Sequence, residues 1–272
     1  MECLGIPVDH RLRSLIRRVR PISISKAMGV HVQILREFGE SLRWGDDELI
    51  NIPELNFALD LAGPDAIGGI LVLLQQPSAT QTYKNGYIAD VNDCETLKAI
   101  RQLVSLASNQ LSGLDNVSVF DMLPFLTEEY EDRDIFKAAH EALVRMIRAK
   151  EPSVVICCAR GKSHDRFVRD LHGLGVGKTF PPEELQNDTS RFLRVNAFHP
   201  SYSVNYNRSY SCFRRLLILE FVKAFNLQQN QWPEEEWMDT LRSDCQKKSA
   251  QLSTGKPPLV LLYQSLIKQM GH

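Results

Sequence analysis

Residues Ile67 to Leu74 read I-G-G-I-L-V-L-L, and this run constrains the fold more than any other feature of the chain. An unbroken apolar run of strand length fits a strand covered on both faces, as in parallel sheets. It enters Gln75-Gln76-Pro77-Ser78, where Pro77 ends the strand. Three further short runs repeat the pattern: Val117–Phe120, Val154–Cys158 and Phe192–Val195. Between them lie stretches with apolar residues at helical spacing. Leu97, Ile100, Leu103, Val104 and Ala107 mark one, over Cys94 to Leu111, with Gly113 expected near its C-terminal cap. Ile135, Phe136, Ala139, Leu143, Met146 and Ile147 mark the clearest, over Asp134 to Lys150. Residues 159–175 and Phe213 to Phe225 supply two more.

Strand and helix therefore alternate, which predicts an α/β fold. The expected form is a three-layer α/β/α arrangement around a central, mainly parallel, four-stranded sheet. In such sheets a ligand sits beyond the carboxyl ends of the strands. The polar clusters at those ends are Gln75–Ser78, Asp121, Arg160–His164 and His199–Ser201, and all four are expected to meet in one cleft.

Outside this core the pattern weakens. Arg11, Arg13, Arg17, Arg18 and Arg20 interleave with Leu12, Leu15, Ile16 and Val19, a short basic amphipathic helix stopped by Pro21. It serves either as a solvated face or as a phosphate-touching arm. Ser41 to Asp60 fits short helices laid over the core, and Ser78 to Asp93 reads as a polar loop. Gly177 to Ser190 is a Pro- and acid-rich excursion. After the polar break at Gln228–Gln231 come a charged helix, Trp232 to Leu252, and an apolar one, Leu259 to Met270. The expected organisation is an N-terminal helical extension (1–64), an α/β core (65–226) and a C-terminal helical extension packed on that core (227–272).

Composition excludes several classes. Net charge is −1 over 272 residues, so a nucleic-acid role needs a local basic patch rather than a global field. No apolar run approaches the ~20 residues of a membrane span. The six cysteines form no CxxC pair and no zinc spacing, so neither cofactor nor metal is expected. Adjacent Cys157 and Cys158 in an apolar run fit buried thiols and an intracellular setting, nuclear or cytoplasmic. No G-x-S-x-G elbow, P-loop or dinucleotide fingerprint is present to support a small hydrolase that shares only the topology.

At His199 the chain reads H-P-S-Y-S-V-N-Y-N-R-S-Y-S-C. This resembles the H-P-S-P-L-S…Y-R-G-F-F-G-C segment of family 1 uracil-DNA glycosylases, with His199, Tyr206 and Cys212 in register. Leu74-Gln75-Gln76-Pro77, with Gly86 nine residues after Pro77, resembles the family's G-Q-D-P-Y-H segment and its later H-G-L-A-F-S. Val119-Phe120-Asp121-Met122-Leu123-Pro124 resembles the strand end that carries the base-reading Asn.

The resemblance covers about residues 65–225 and implies a uracil-DNA glycosylase-like core that binds single- or double-stranded DNA. A protein partner could engage the terminal extensions. By this correspondence His199, Gln76 and Asp121 are the expected catalytic residues. Gln75, Ser78, Ala89 and Phe120 are the expected base pocket. Pro77, Pro200, Ser201, Tyr202, Ser203, Tyr206 and Arg208 are the expected nucleic-acid contacts.

The pattern also departs from the family. Gln76 replaces a catalytic Asp, Ser78 the Tyr that blocks thymine, and Ala89 the stacking Phe. Asp121 replaces the reading Asn, and Ser203 the Leu wedge. Two readings follow: a base-excision glycosylase acting on a base other than uracil, or weakly on uracil, or a catalytically silent scaffold that kept the fold and acts in nucleic-acid binding or protein interaction.

Overall fold

The computed structural model describes residues 1–21, 27–43, 49–78, 81, 83–125, 133–158, 178–179 and 192–254. The chain divides into two units, Met1–Pro233 and Glu234–His272. The first opens with a small antiparallel pair, β1 (Glu2–Cys3) and β2 (Ile6–Pro7). Helices α1 (Leu12–Arg18), α2 (His31–Ser41) and α3 (Ile52–Ala62) follow. Strand β3 (Ile70–Leu74) starts the main sheet. Then come α4 (Tyr87–Asp93), α5 (Glu95–Ala107), β4 (Ser118–Asp121), α6 (Arg133–Lys150) and β5 (Val154–Cys157). The two-residue β6 (Lys178–Thr179), β7 (Leu193–Asn196) and α7 (Ser211–Leu227) complete the unit.

The main sheet has the order β4-β3-β5-β7-β6. Its first four strands are all parallel, as expected, and β6 adds a short antiparallel edge on β7 that the sequence pattern does not signal. Strand residues alternate between faces. Leu71, Leu73, Phe120, Val155 and Cys157 pack into one apolar layer with residues of α2, α3 and α6. On the other side α7 packs against β5 and β7, with α1 and α5 beside it. The result is a parallel sheet between helical layers.

Several boundaries moved for identifiable reasons. The run Ile67–Leu74 becomes strand only at Ile70, because Gly68 (φ +86°) and Gly69 (φ +81°) take left-handed backbone incompatible with a strand. Helix α5 ends at Ala107, and the left-handed positions after it are Asn109 and Gln110, not Gly113. The stretch read as a polar loop carries α4, entered through Gly86 at φ +81°.

Residues 1–64 are not a separate body. Leu12, Leu15 and Ile16 of α1 are buried, α1 packs on α7, and α2 packs on α6. Lys150, fully buried at the end of α6, ties this region down by donating to the carbonyls of Pro64 (3.2 Å) and Ala66 (2.6 Å). Burial pushes its ammonium down to about 8.

The second boundary falls after Pro233 rather than at 226. That unit holds α8 (Glu236–Thr254), where Arg242 bonds Glu234 and Asp239. The helices expected over 159–175 and from Leu259 to Met270 lie outside the described residues, as does the excursion at 180–190. No helix among the described residues is long and apolar enough to cross a membrane.

Candidate functional site

A cavity of about 350 Å³ opens at the carboxyl ends of the parallel strands. The volume lies in the range of small-molecule sites. Three of the four expected strand-end clusters meet there. Gln76, Pro77 and Ser78 follow β3, Asp121 closes β4, and His199 and Ser201 follow β7. The fourth cluster, Arg160 to His164, lies outside the described residues, as do Arg166 and Arg169.

The convergence follows from topology. Parallel strands end on the same side, so whatever follows each strand is gathered at one edge. The chain order reverses between β3 and β5, and such switch points leave a crevice between diverging loops.

His199 shares a hydrogen bond of 2.7 Å between its Nδ1 and the Ser201 Oγ. Burial pushes the imidazole down to about 4, so at neutral pH it is uncharged. When Ser201 donates, Nε2 carries the ring hydrogen and acts as a donor. Asp121 is half-buried, and its Oδ1 is enclosed without a hydrogen-bond partner. Burial pushes its carboxyl up to about 7, so near neutrality it is divided between acid and carboxylate. The acid form donates as well as accepts. Gln76 is exposed and lines the mouth.

The remaining expected site residues divide sharply. Tyr206 lines the cavity and is 75% exposed. It ends a π-helical turn, Tyr202–Tyr206, of a kind often found at functional sites. Ser203, on the same turn, is fully buried and donates to the Pro200 carbonyl at 2.9 Å. It has no face to offer DNA, which corrects its expected contact role.

Tyr202 stacks on Phe198 (5.2 Å) and meets Phe213 edge-on (5.1 Å), so it is a packing residue. Pro200 is buried, and neither it nor Arg208, which is exposed, is among the lining residues. Phe120 faces the α2–α6 layer and its ring meets His31 at 5.8 Å, so it is core rather than pocket. Gln75 is half-buried, its carbonyl accepting from the Leu123 N–H at 3.0 Å, and is not in the lining. Ala89 sits on α4, also outside the lining.

Sequence reasoning missed the aromatic and acidic walls. Phe57 and Glu54 come from α3, whose N-terminus is fixed by Asn51 accepting from the Glu54 N–H at 2.9 Å. Tyr83 packs on Phe57 with ring centres 5.3 Å apart. Burial, with the Glu54 and Asp121 carboxyls near it, holds its phenol far above the usual range. Cys94 and Asn205 complete this part of the wall. The bulky apolar positions of α3 were visible in the sequence, but their partner surface was not.

An adjoining recess of about 160 Å³ shares Ser78, Gln81 and Asn205 and adds Asp90, Asp93 and Glu95. Among the described residues no group of three His, Cys, Asp or Glu side chains is gathered for a metal ion. No protein-family model matches the chain, and no curated protein matches it.

Proposed function

We propose that this chain is a divergent uracil-DNA glycosylase-like protein that binds DNA and hydrolyses the N-glycosidic bond of a flipped base in base-excision repair. One observation carries this reading: His199, Asp121 and Gln76 leave three different strands and line one cavity large enough for a base. A base must leave the stack to reach such a cavity, and its pairing edge is then read by fixed polar groups.

In this reading the neutral His199, oriented by Ser201, donates to the departing base. Asp121 reads the base edge, and Gln76 positions the attacking water from the mouth. The acidic recess repels phosphates, so the DNA backbone is kept out of it and meets instead the exposed Tyr206 and Arg208 of the turn from Ser201 to Arg208.

The test is base release from single- and double-stranded oligonucleotides carrying uracil, hypoxanthine, xanthine or alkylated bases. Release of at least one base is expected, and His199→Ala should lower its rate about 100-fold. Absence of release from every substrate sinks the enzymatic reading. One observation favours the second reading, a silent scaffold: an exposed amide, Gln76, stands where the resemblance implies a carboxylate that would offset a sugar cation. Salt-dependent DNA affinity without release would select it.

A further inference from the structure

The charge of the cavity bears on which base it takes. Its acidic lining residues are Asp121 and Glu54, and no Lys or Arg lines it among the described residues. Its histidine, His199, is neutral at physiological pH. Asp121 presents a carboxyl oxygen that lacks a hydrogen-bond partner. Beside it stand two aromatic side chains, Phe57 and Tyr83. The adjoining recess adds Asp90, Asp93 and Glu95. Aromatic faces and a carboxylate with an oxygen free of hydrogen bonds in one enclosure attract a flat cation. The same groups oppose a base that gains negative charge as it leaves, as uracil does.

We infer that the base for which this cavity is built carries a positive charge: an N-alkylated purine held against Phe57 and Tyr83 and facing the Asp121 carboxylate. The inference rests on the glycosylase reading above and names its substrate class. The chemistry is consistent with the rest of the site. In an N-alkylated purine nucleotide the glycosidic bond breaks with its electron pair going to the ring, which leaves as a neutral base. Water forms the new bond to the sugar C1′, and its proton passes to solvent. No net negative charge develops on the leaving group, and the hydrogen bond that neutral His199 donates strengthens as the ring receives the electron pair. Gln76 has only to position water.

The experiment uses the full chain in two parts. In the first, free-base release is measured from duplex DNA carrying 3-methyladenine or 7-methylguanine, and from matched duplexes with uracil or hypoxanthine, each against an enzyme-free control. Release of the methylated purines should exceed that of the neutral bases at least tenfold. In the second, calorimetry compares 1-methylnicotinamide, a permanently charged aromatic ring, with nicotinamide, its neutral parent. The cation should bind at least tenfold more tightly, and its affinity should rise between pH 6 and pH 8 as Asp121 ionises. Asp121→Asn should erase both the preference and the pH dependence.

Faster release of uracil or hypoxanthine than of methylated purines, or equal binding of the two nicotinamides, would overturn the inference and leave the glycosylase reading standing. A cation preference with no release from any duplex would overturn the glycosylase reading and retain the charge selectivity. The comparison of the two nicotinamides on the unaltered protein decides the matter even where Asp121→Asn does not fold.

Discussion

Asp121 closes β4 with one carboxyl oxygen enclosed and without a hydrogen-bond partner. Burial raises its folded-state value to about 7 from an ordinary 3.8, so the folded protein holds this proton more tightly than the unfolded chain does. The stabilisation from that proton is complete below the unfolded value and is lost as pH rises through about 7. Asp121→Asn removes a charge that burial penalises and should stabilise the fold at pH 8 by about 1–3 kcal/mol. At pH 4 the change should be near neutral. Urea denaturation of both proteins at the two pH values checks this; equal differences at pH 4 and pH 8 would contradict it. His199 has the opposite linkage. Burial lowers it to about 4 from 6.5, so its contribution is present above pH 6.5 and is lost as pH falls through about 4. Near neutral pH an uncharged imidazole and a partly ionised carboxyl share one cavity, which is the protonation pattern the proposed chemistry uses.

At the scale of elements, the π-helical turn Tyr202–Tyr206 separates two jobs that the sequence presents as one run of polar and aromatic residues. Ser203 points inward and fastens the turn to Pro200. Ser203→Ala removes this buried hydrogen bond, so it should cost about 1 kcal/mol. Tyr206 points outward at the cavity rim. Tyr206→Ala should leave stability within about 0.5 kcal/mol, as exposed substitutions do. It should also weaken DNA binding by about 1–3 kcal/mol, the typical worth of an aromatic–base stack. Thermal melts and fluorescence anisotropy on both variants separate these roles. A Tyr206→Ala protein that binds DNA as tightly as the unaltered chain would remove Tyr206 from the proposed interface. The aromatic wall illustrates the same division by element. Phe57 enters the cavity from α3, a helix expected only to cover the core, and is held there by Tyr83 and Tyr87 at 5.3 and 5.6 Å.

For the whole molecule, the N-terminal helices belong to the same unit as the sheet. Helix α2 packs on α6, α3 on β4, and the buried Lys150 holds the backbone just before the first main strand. Removing residues 1–64 would expose the face built around Leu71, Leu73 and Phe120 and leave Lys150 without the Pro64 carbonyl. A protein spanning residues 65–272 is therefore expected to lose cooperative unfolding and to aggregate, measured by thermal melts and gel filtration. A sharp two-state melt would show that the helices are dispensable. The parallel sheet was legible in the sequence, because each strand is a short apolar run stopped by polar residues and local composition sets where such a run begins and ends. The positions of His199, Asp121 and Gln76 were legible for the same reason, since strand ends in a parallel sheet share an edge. The burial of Ser203, the orientation of Phe120 into the core, and the presence of Phe57, Tyr83 and Glu54 in the cavity wall depend on contacts between residues distant in the chain. The protonation of Asp121 depends on its desolvation, which arises only when other elements close over it. By itself the sequence determined which segments become strands and helices and which polar residues end the strands; tertiary packing decided which side chains face the cavity and what charge they carry there, because burial and long-range contact are properties of the assembled fold.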